Sequence, residues 1–188
     1  DVPLLPAPTL RRIIAHHHTA RPGVTLLTAQ VTDASGLGRI VRGPGGAVAR
    51  IVEEADASEE ERMIREINAG TYVFEGPLLL EGLRHVQPSN AQGEYYLTDV
   101  VAWALSEGRR VDALPVEDPD EVLGVNSRRD LARAEAAMRA RLLDRLIGWL
   151  FGDVGRPGAP MGARRAPTTV EIGICTRLCN ELYQAIES

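Results

Sequence analysis

The stretch Val24-Thr25-Leu26-Leu27-Thr28-Ala29-Gln30-Val31 is β-branched and apolar, and reads as a strand. Residues 8–19 before it place Leu10, Ile13 and Ile14 on one face at helical spacing. After it, Gly38–Val41 and Ala47–Val52 alternate, joined by the turn cluster Arg42-Gly43-Pro44-Gly45-Gly46, which predicts a β-hairpin. Ser58 with Glu61 three residues on is a capping box, opening a helix with Met63, Ile64 and Ile67 as its apolar side. A short strand is expected over Thr71–Phe74 and a leucine-rich helix over Pro77–Val86. Thr98 is placed to cap a helix over Asp99–Leu105, and Val111–Val116 reads as another strand. Ser127 then caps a long Ala-, Arg- and Leu-rich helix to about Leu150. Strands alternate with helices, so an α/β layered fold follows.

The chain has 188 residues, enough for one domain with an appendage. Its 44% hydrophobic and 25% charged residues are ordinary for a globular protein. A net charge of −5 argues against polymeric nucleic acid as the main partner, because a phosphate backbone calls for a basic patch. No apolar run approaches the ~20 residues of a membrane span; the longest, Leu142 to Phe151, is interrupted by Asp144 and Arg145. No signal peptide is read at the start, and Asp1 without a preceding Met suggests a fragment or a processed product. Lysine is absent; all 21 basic residues other than histidine are arginine. Cys175 and Cys179 are too few for a zinc site and fit a reducing cytosol. From Phe151 to Pro167, glycines and prolines predict a linker-like stretch.

The chemistry concentrates in Asn90-Ala91-Gln92-Gly93-Glu94-Tyr95-Tyr96-Leu97-Thr98-Asp99, which packs an amide, carboxylates, two phenols and a hydroxyl into ten residues. That mix suits a polyhydroxylated, charged ligand. Gly36-Leu37-Gly38-Arg39 allows close backbone approach to a ligand, and fits a plain turn equally well. Glu53 could accept hydrogen bonds from sugar hydroxyls, or sit as a solvated edge charge. Asn68, expected at a helix-to-strand junction, can donate and accept at once, which suits a hydroxyl or acetamido group; a helix C-cap is the alternative. Asp1 and Asn126 are hard oxygen donors of the kind Mg²⁺ prefers, and each also fits an ordinary terminal or turn residue. His16-His17-His18 point about 100° apart on a helix, cannot converge on one metal, and read as a solvated face. No side chain is assigned as a nucleophile or general base.

Six segments in order carry a resemblance: Asp1-Val2-Pro3-Leu4, Gly36-Leu37-Gly38-Arg39-Ile40, Ile51-Val52-Glu53-Glu54, Glu66-Ile67-Asn68-Ala69-Gly70, Asn90 to Asp99, and Gly124-Val125-Asn126-Ser127-Arg128. Together they resemble the pyrophosphorylase domain of the bacterial bifunctional N-acetylglucosamine-1-phosphate uridyltransferase/glucosamine-1-phosphate acetyltransferases, from Asp1 to about Leu146. The resemblance implies part of a Rossmann-like nucleotidyltransferase domain, a mixed sheet with flanking helices, over residues 1–126. A long connecting helix over 127–150 and an irregular tail over 151–188 would follow. It implies a cytoplasmic enzyme of cell-wall (peptidoglycan) precursor synthesis, and so of cell shape. That enzyme joins UTP and N-acetylglucosamine 1-phosphate into UDP-N-acetylglucosamine and pyrophosphate, with Mg²⁺ as cofactor. Asp1 and Asn126 correspond to metal ligands; Gly38, Glu53 and Asn68 to sugar contacts; Glu94, Tyr96 and Thr98 to further lining of that pocket, with Asn126 beside the substrate.

The departures matter as much. The family's glycine-rich loop and the lysine after it are not in these residues, Ala55 stands where a lysine is common, and Ala69 replaces a common threonine. Only Val170-Glu171-Ile172-Gly173 hints at a rung of the family's β-helix, so the acetyltransferase half and the trimer it builds are not expected. Low activity is therefore expected of this chain alone. A non-catalytic sugar-nucleotide-binding or interaction module, and a nucleotidyltransferase for another sugar 1-phosphate, are the alternatives; the oligomeric state is not read.

Overall fold

A computed structural model describes residues 2–88 and 93–151, with only the backbone at 149–151. Asp1, the amides of Asn90 and Gln92, both cysteines and the whole tail from Gly152 lie outside the described residues. The chain groups into two compact units, Asp1–Gly124 and Val125–Ser188.

In the first unit, α1 (Ala7–Ala20) leads into β1 (Val24–Gln30), followed by the hairpin β2 (Arg39–Arg42) and β3 (Val48–Val52). A single turn, α2 (Glu59–Arg62), precedes β4 (Glu66–Phe74); α3 (Gly76–Gly82), α4 (Leu97–Ser106) and β5 (Val111–Pro115) complete it. The strands form one sheet in the order β3-β2-β4-β1-β5. It is mixed: β1 and β5 run parallel, while β1–β4, β4–β2 and β2–β3 are antiparallel.

β1 is buried from Val24 to Ala29 because both of its faces are covered. Leu27 and Ala29 pack with Ile13 of α1 and with Ile67 and Ala69 of β4. Val24 and Leu26, on the opposite face, join Leu78 of α3, Val101 and Ala104 of α4, Ile40 and Val48 of the hairpin, and Val111 of β5. Three layers follow from the period-2 alternation of one strand.

Several local expectations are met. The hairpin pairs Arg39–Arg42 with Val48–Val52. Ser58 and Glu61 make both bonds of the capping box, at 2.9 and 3.2 Å. Others need correction. The helix after Ser58 ends at Arg62; Met63 is exposed and Ile67 belongs to β4. The strand expected from Thr71 begins at Glu66, so Asn68 lies inside a strand rather than at a helix end. α4 begins at Leu97, so Thr98 sits in its first turn and does not cap it. Val2–Leu5 forms a turn. The histidine run is not a solvated face. His17 is buried, its Nδ1 2.9 Å from Thr25 Oγ1, and His16 Nε2 lies 2.8 Å from Asp112 Oδ2; the helical step turns the middle residue onto the sheet.

The described part of the second unit is α5 (Arg128–Phe151) and its lead-in. Ser127 caps it: the Asp130 N–H donates to Ser127 Oγ at 3.2 Å, and the Ser127 N–H and hydroxyl donate to Asp130 Oδ2 at 3.0 and 2.8 Å. Among the described residues no helix is long and apolar enough to cross a membrane.

Leu27 is fully buried, so Leu27→Ala is expected to cost about 2–5 kcal/mol. Leu80, 67% exposed, should cost within about 0.5 kcal/mol on the same change. Urea unfolding of both variants checks the assignment of the core.

Candidate functional site

The site is built around a disruption of β4. Its pairing with β1 runs Leu26↔Tyr72 and then Thr28↔Asn68. Ala69, Gly70 and Thr71 therefore bulge opposite the single residue Leu27. Gly70 has φ +68°, the left-handed region that costs other L-residues roughly 1–2 kcal/mol. Asn68 and Tyr72, four residues apart, share one face of the sheet on either side of the bulge, and the Asn68 Nδ2 donates to Tyr72 Oη at 2.6 Å. The Gly70 N–H donates to Asn68 Oδ1 at 3.1 Å, closing the turn.

Gly38 meets this arrangement through the backbone: the Asn68 N–H donates to the Gly38 carbonyl at 2.8 Å. A Cβ on Gly38 would lie 3.0 Å from Glu53 Oε2 and 3.3 Å from its Cδ and Oε1. The space a side chain would take is thus filled by the Glu53 carboxylate. From the far side, the Thr98 hydroxyl donates to Glu53 Oε1 at 3.2 Å. Thr98 is buried and Glu53 half-buried. Gly38, Glu53, Asn68 and Thr98, separated in sequence, are brought together.

The electrostatics are acidic. Burial pushes the Glu53 carboxyl above its ordinary range; the Thr98 hydrogen bond opposes this, and the charges of Asp56 and Asp99 reinforce it. Asp99 is raised by burial and then by Asp56. The Tyr96 phenol is raised by burial and then by Glu94, Asp56, Glu53 and Asp99. Tyr96 is half-buried and Glu94 exposed.

The metal expectation divides. Asp1 is outside the described residues. Asn126 belongs to the second unit, where it is exposed and its backbone N–H donates to Asp130 Oδ2 at 3.3 Å. Among the described residues no three His, Cys, Asp or Glu side chains form a metal-holding group. A carboxylate with an amide oxygen is nevertheless a donor set that suits Mg²⁺, which keeps waters and takes few protein ligands.

Two neighbours carry no role in the sequence reading. Arg39 is 2% exposed, and its guanidinium donates to the Leu37 carbonyl and, at 2.5 Å, to Glu54 Oε2, tying the Gly36–Gly38 loop to the residue after Glu53. Its Nε has no hydrogen-bond partner among the described residues. An arginine between Gly38 and Ile40 at the start of an alternating strand is the sequence signal for it. Tyr72 is the other, and an isolated tyrosine in a strand carries no such signal.

A carboxylate acceptor, a fixed amide, a backbone turn and a threonine hydroxyl gathered at the bulge of an α/β sheet's central strand suit a ligand with several hydroxyls. Residues 5–165 match the nucleotidyl transferase family. The chain belongs to that family. Over 147 residues it is 52% identical to the bifunctional protein GlmU of Syntrophotalea carbinolica, covering 78% of this chain and 32% of that protein. Against the bifunctional protein GlmU of Exiguobacterium sp. it is 50% identical over 147 residues, covering 78% of this chain and 33% of that one. The chain therefore spans about a third of the length of the curated relatives it matches. A solved UDP-glucose pyrophosphorylase complexed with UDP-glucose superposes with a TM-score of 0.55 at 16% identity, covering 70% of this chain and 49% of that one; this likeness is one of fold. The relatives agree with the resemblance carried by the ordered motifs.

A carboxyl that titrates higher in the folded chain than in the unfolded one favours folding below its unfolded value of 4.5. That contribution is lost as pH rises through the raised folded value. Glu53→Gln, similar in shape but uncharged, is therefore expected to melt above the parent chain at about pH 8. The gap should close as the pH falls toward 4.5. Thermal melts across that range read it directly, and equal melting at every pH would mean Glu53 is not held in a desolvating site.

Proposed function

We propose that this chain supplies the sugar-holding wall of a nucleotidyltransferase that forms UDP-N-acetylglucosamine and pyrophosphate from UTP and N-acetylglucosamine 1-phosphate. The observation that carries the reading is the convergence of Gly38, Glu53, Asn68 and Thr98 beside the bulge of β4. A sugar with ring hydroxyls and one acetamido group needs a carboxylate acceptor and an amide that both donates and accepts. The extensive identity to GlmU proteins supports the choice of sugar and nucleotide.

In the reaction, an oxygen of the sugar 1-phosphate attacks the α-phosphorus of UTP. The new P–O bond forms as the bond to the bridging oxygen breaks, and pyrophosphate leaves with the electron pair. No protein side chain is bonded in the course of it, so this chain acts by positioning. Glu53 accepts from sugar hydroxyls, Asn68 orients the acetamido group, and Tyr96 and Glu94 flank the sugar. The clustered carboxylates keep the phosphates away from this wall by repulsion. By the resemblance, Asp1 and Asn126 are the residues that would hold Mg²⁺, which would supply charge neutralisation on the phosphates.

Such an enzyme works in the cytoplasm, on the route to cell-wall precursors. The 188 residues contain no lysine and no G-x-G-T-R-M loop to cradle a triphosphate, so slow turnover by this chain alone is part of the proposal.

Calorimetric titration of the chain with UDP-N-acetylglucosamine and Mg²⁺ is expected to show binding. Asn68→Ala should weaken it by roughly tenfold, in line with about 1.5 kcal/mol for a lost hydrogen-bonding pair. No binding by the parent chain, or unchanged affinity in Asn68→Ala, would overturn the reading.

A further inference from the structure

In an unbroken strand, the Cα atoms of Asn68 and Tyr72 would be about 13 Å apart, at ~3.3 Å per residue. Across the bulge their side chains meet, with Tyr72 Oη 2.6 Å from Asn68 Nδ2. An amide nitrogen can only donate, so the phenol oxygen is the acceptor and retains its own hydrogen. At the other end of the amide, Asn68 Oδ1 accepts from the Gly70 N–H at 3.1 Å. Rotating the amide by half a turn would set its NH₂ against the Gly70 N–H, donor against donor. Asn68 is thereby locked in one orientation, with one Nδ2 hydrogen and one Oδ1 lone pair to spare.

The lock is rigid at the tyrosine end too. The Tyr72 ring lies 5.6 Å from Phe74, centroid to centroid, and packs against the core beneath α3 and α4. Burial pushes the phenol up to about 12; the hydrogen bond from Asn68 opposes this and the charge of Glu53 adds to it. The hydroxyl therefore stays protonated at neutral pH.

We infer that Tyr72 is a positioning residue that makes the site selective for an acetamido sugar over a sugar with a hydroxyl at the same carbon. An acetamido group has a fixed donor and a fixed acceptor, the complement of the two valences left on a locked Asn68. The Gly70 N–H fixes which way the amide faces and Tyr72 holds it in place; an acetamido group uses both spare valences at once and needs the amide held, whereas a single hydroxyl meets one of them and can follow the amide if it moves. The inference rests on the proposed sugar site and adds the residue that sets its choice.

The test compares the 188-residue chain with Tyr72→Phe, which keeps the ring and removes only the hydroxyl. For UDP-N-acetylglucosamine we expect a roughly five- to tenfold weaker Kd in Tyr72→Phe, against less than about twofold for UDP-glucose, the loss of one hydrogen bond. Equal losses for both ligands, or none, would overturn the inference while leaving the sugar site standing. Binding of neither ligand by the parent chain would instead overturn the functional reading and the selectivity with it. The Asn68 side-chain ¹H–¹⁵N pair, recorded without ligand, gives an independent readout. Its two hydrogens should be split more widely in the parent chain than those of an exposed Asn amide, and the splitting should fall to that ordinary value in Tyr72→Phe; an unmoved pair contradicts the lock. Should Tyr72→Phe fail to fold, slow exchange of one Asn68 amide hydrogen in the parent chain, relative to the exposed Asn126 amide, reads the same bond. Exchange as fast as that of Asn126 counts against it.

Discussion

The site depends on one backbone irregularity, the bulge of β4 at Gly70. β4 must pair with β1 at both of its ends, because Ile67 and Ala69 belong to the core on one face and Tyr72 and Phe74 pack on the other. It cannot do so as a regular strand and also fold Asn68 back upon Tyr72. A left-handed residue inserted between them reconciles the two demands, with glycine bearing the conformation that other residues would pay for. The bulge aims the amide, and the Asn68 N–H fixes the strand to the Gly38 loop.

The second element is a carboxylate held where burial disfavours its charge. Glu53 is kept in place by the shape of its surroundings more than by a counterion. Gly38 leaves room for it, Thr98 donates to it, and its neighbours Asp56 and Asp99 repel it. Arg39 is engaged with Glu54 and the Leu37 carbonyl, and Arg50, three residues before Glu53, with Glu61. A carboxylate without a strong internal partner is ready to accept from ligand hydroxyls, and a site that costs stability in the empty chain is a common property of binding sites. Arg39 stiffens the frame from below, and its uncharged alternative would leave the Gly36–Gly38 loop attached by fewer bonds.

Much of the fold could be read from short-range signals. The hairpin, the capping box at Ser58, the cap at Ser127 and the apolar run from Val24 are set by residues within a few positions of one another, so local chemistry and final structure agree. The N-terminal half of β4 is different. Glu66-Ile67-Asn68-Ala69-Gly70 has weak strand propensity and follows a helix start, and only pairing with β1 and β2, decided at long range, makes it a strand. The same holds for Thr98, whose hydroxyl has the chemistry of a cap but finds a better partner 45 positions away in sequence, Glu53. His17 shows the reverse error, a polar run that hides one residue facing the sheet. As for the site, Gly38, Glu53 and Asn68 were visible through the order of the motifs and not through their individual chemistry, since each also fits a bland role. Tyr72 carries no signal, because its partner exists only once the bulge has formed, and the signal at Arg39, its place between Gly38 and Ile40, does not name its partner Glu54.

The central claim is that a sugar nucleotide binds beside the bulge of β4. The most direct measurement is a ¹⁵N amide titration of the chain with UDP-N-acetylglucosamine, following which backbone resonances move. The account predicts that the amides of Gly38, Glu53, Asn68, Gly70, Tyr72 and Thr98 shift together along one saturation curve. Shifts confined to other surfaces, such as His85 stacked on Trp103 of α4, with the β4 bulge unmoved at saturation, would contradict it.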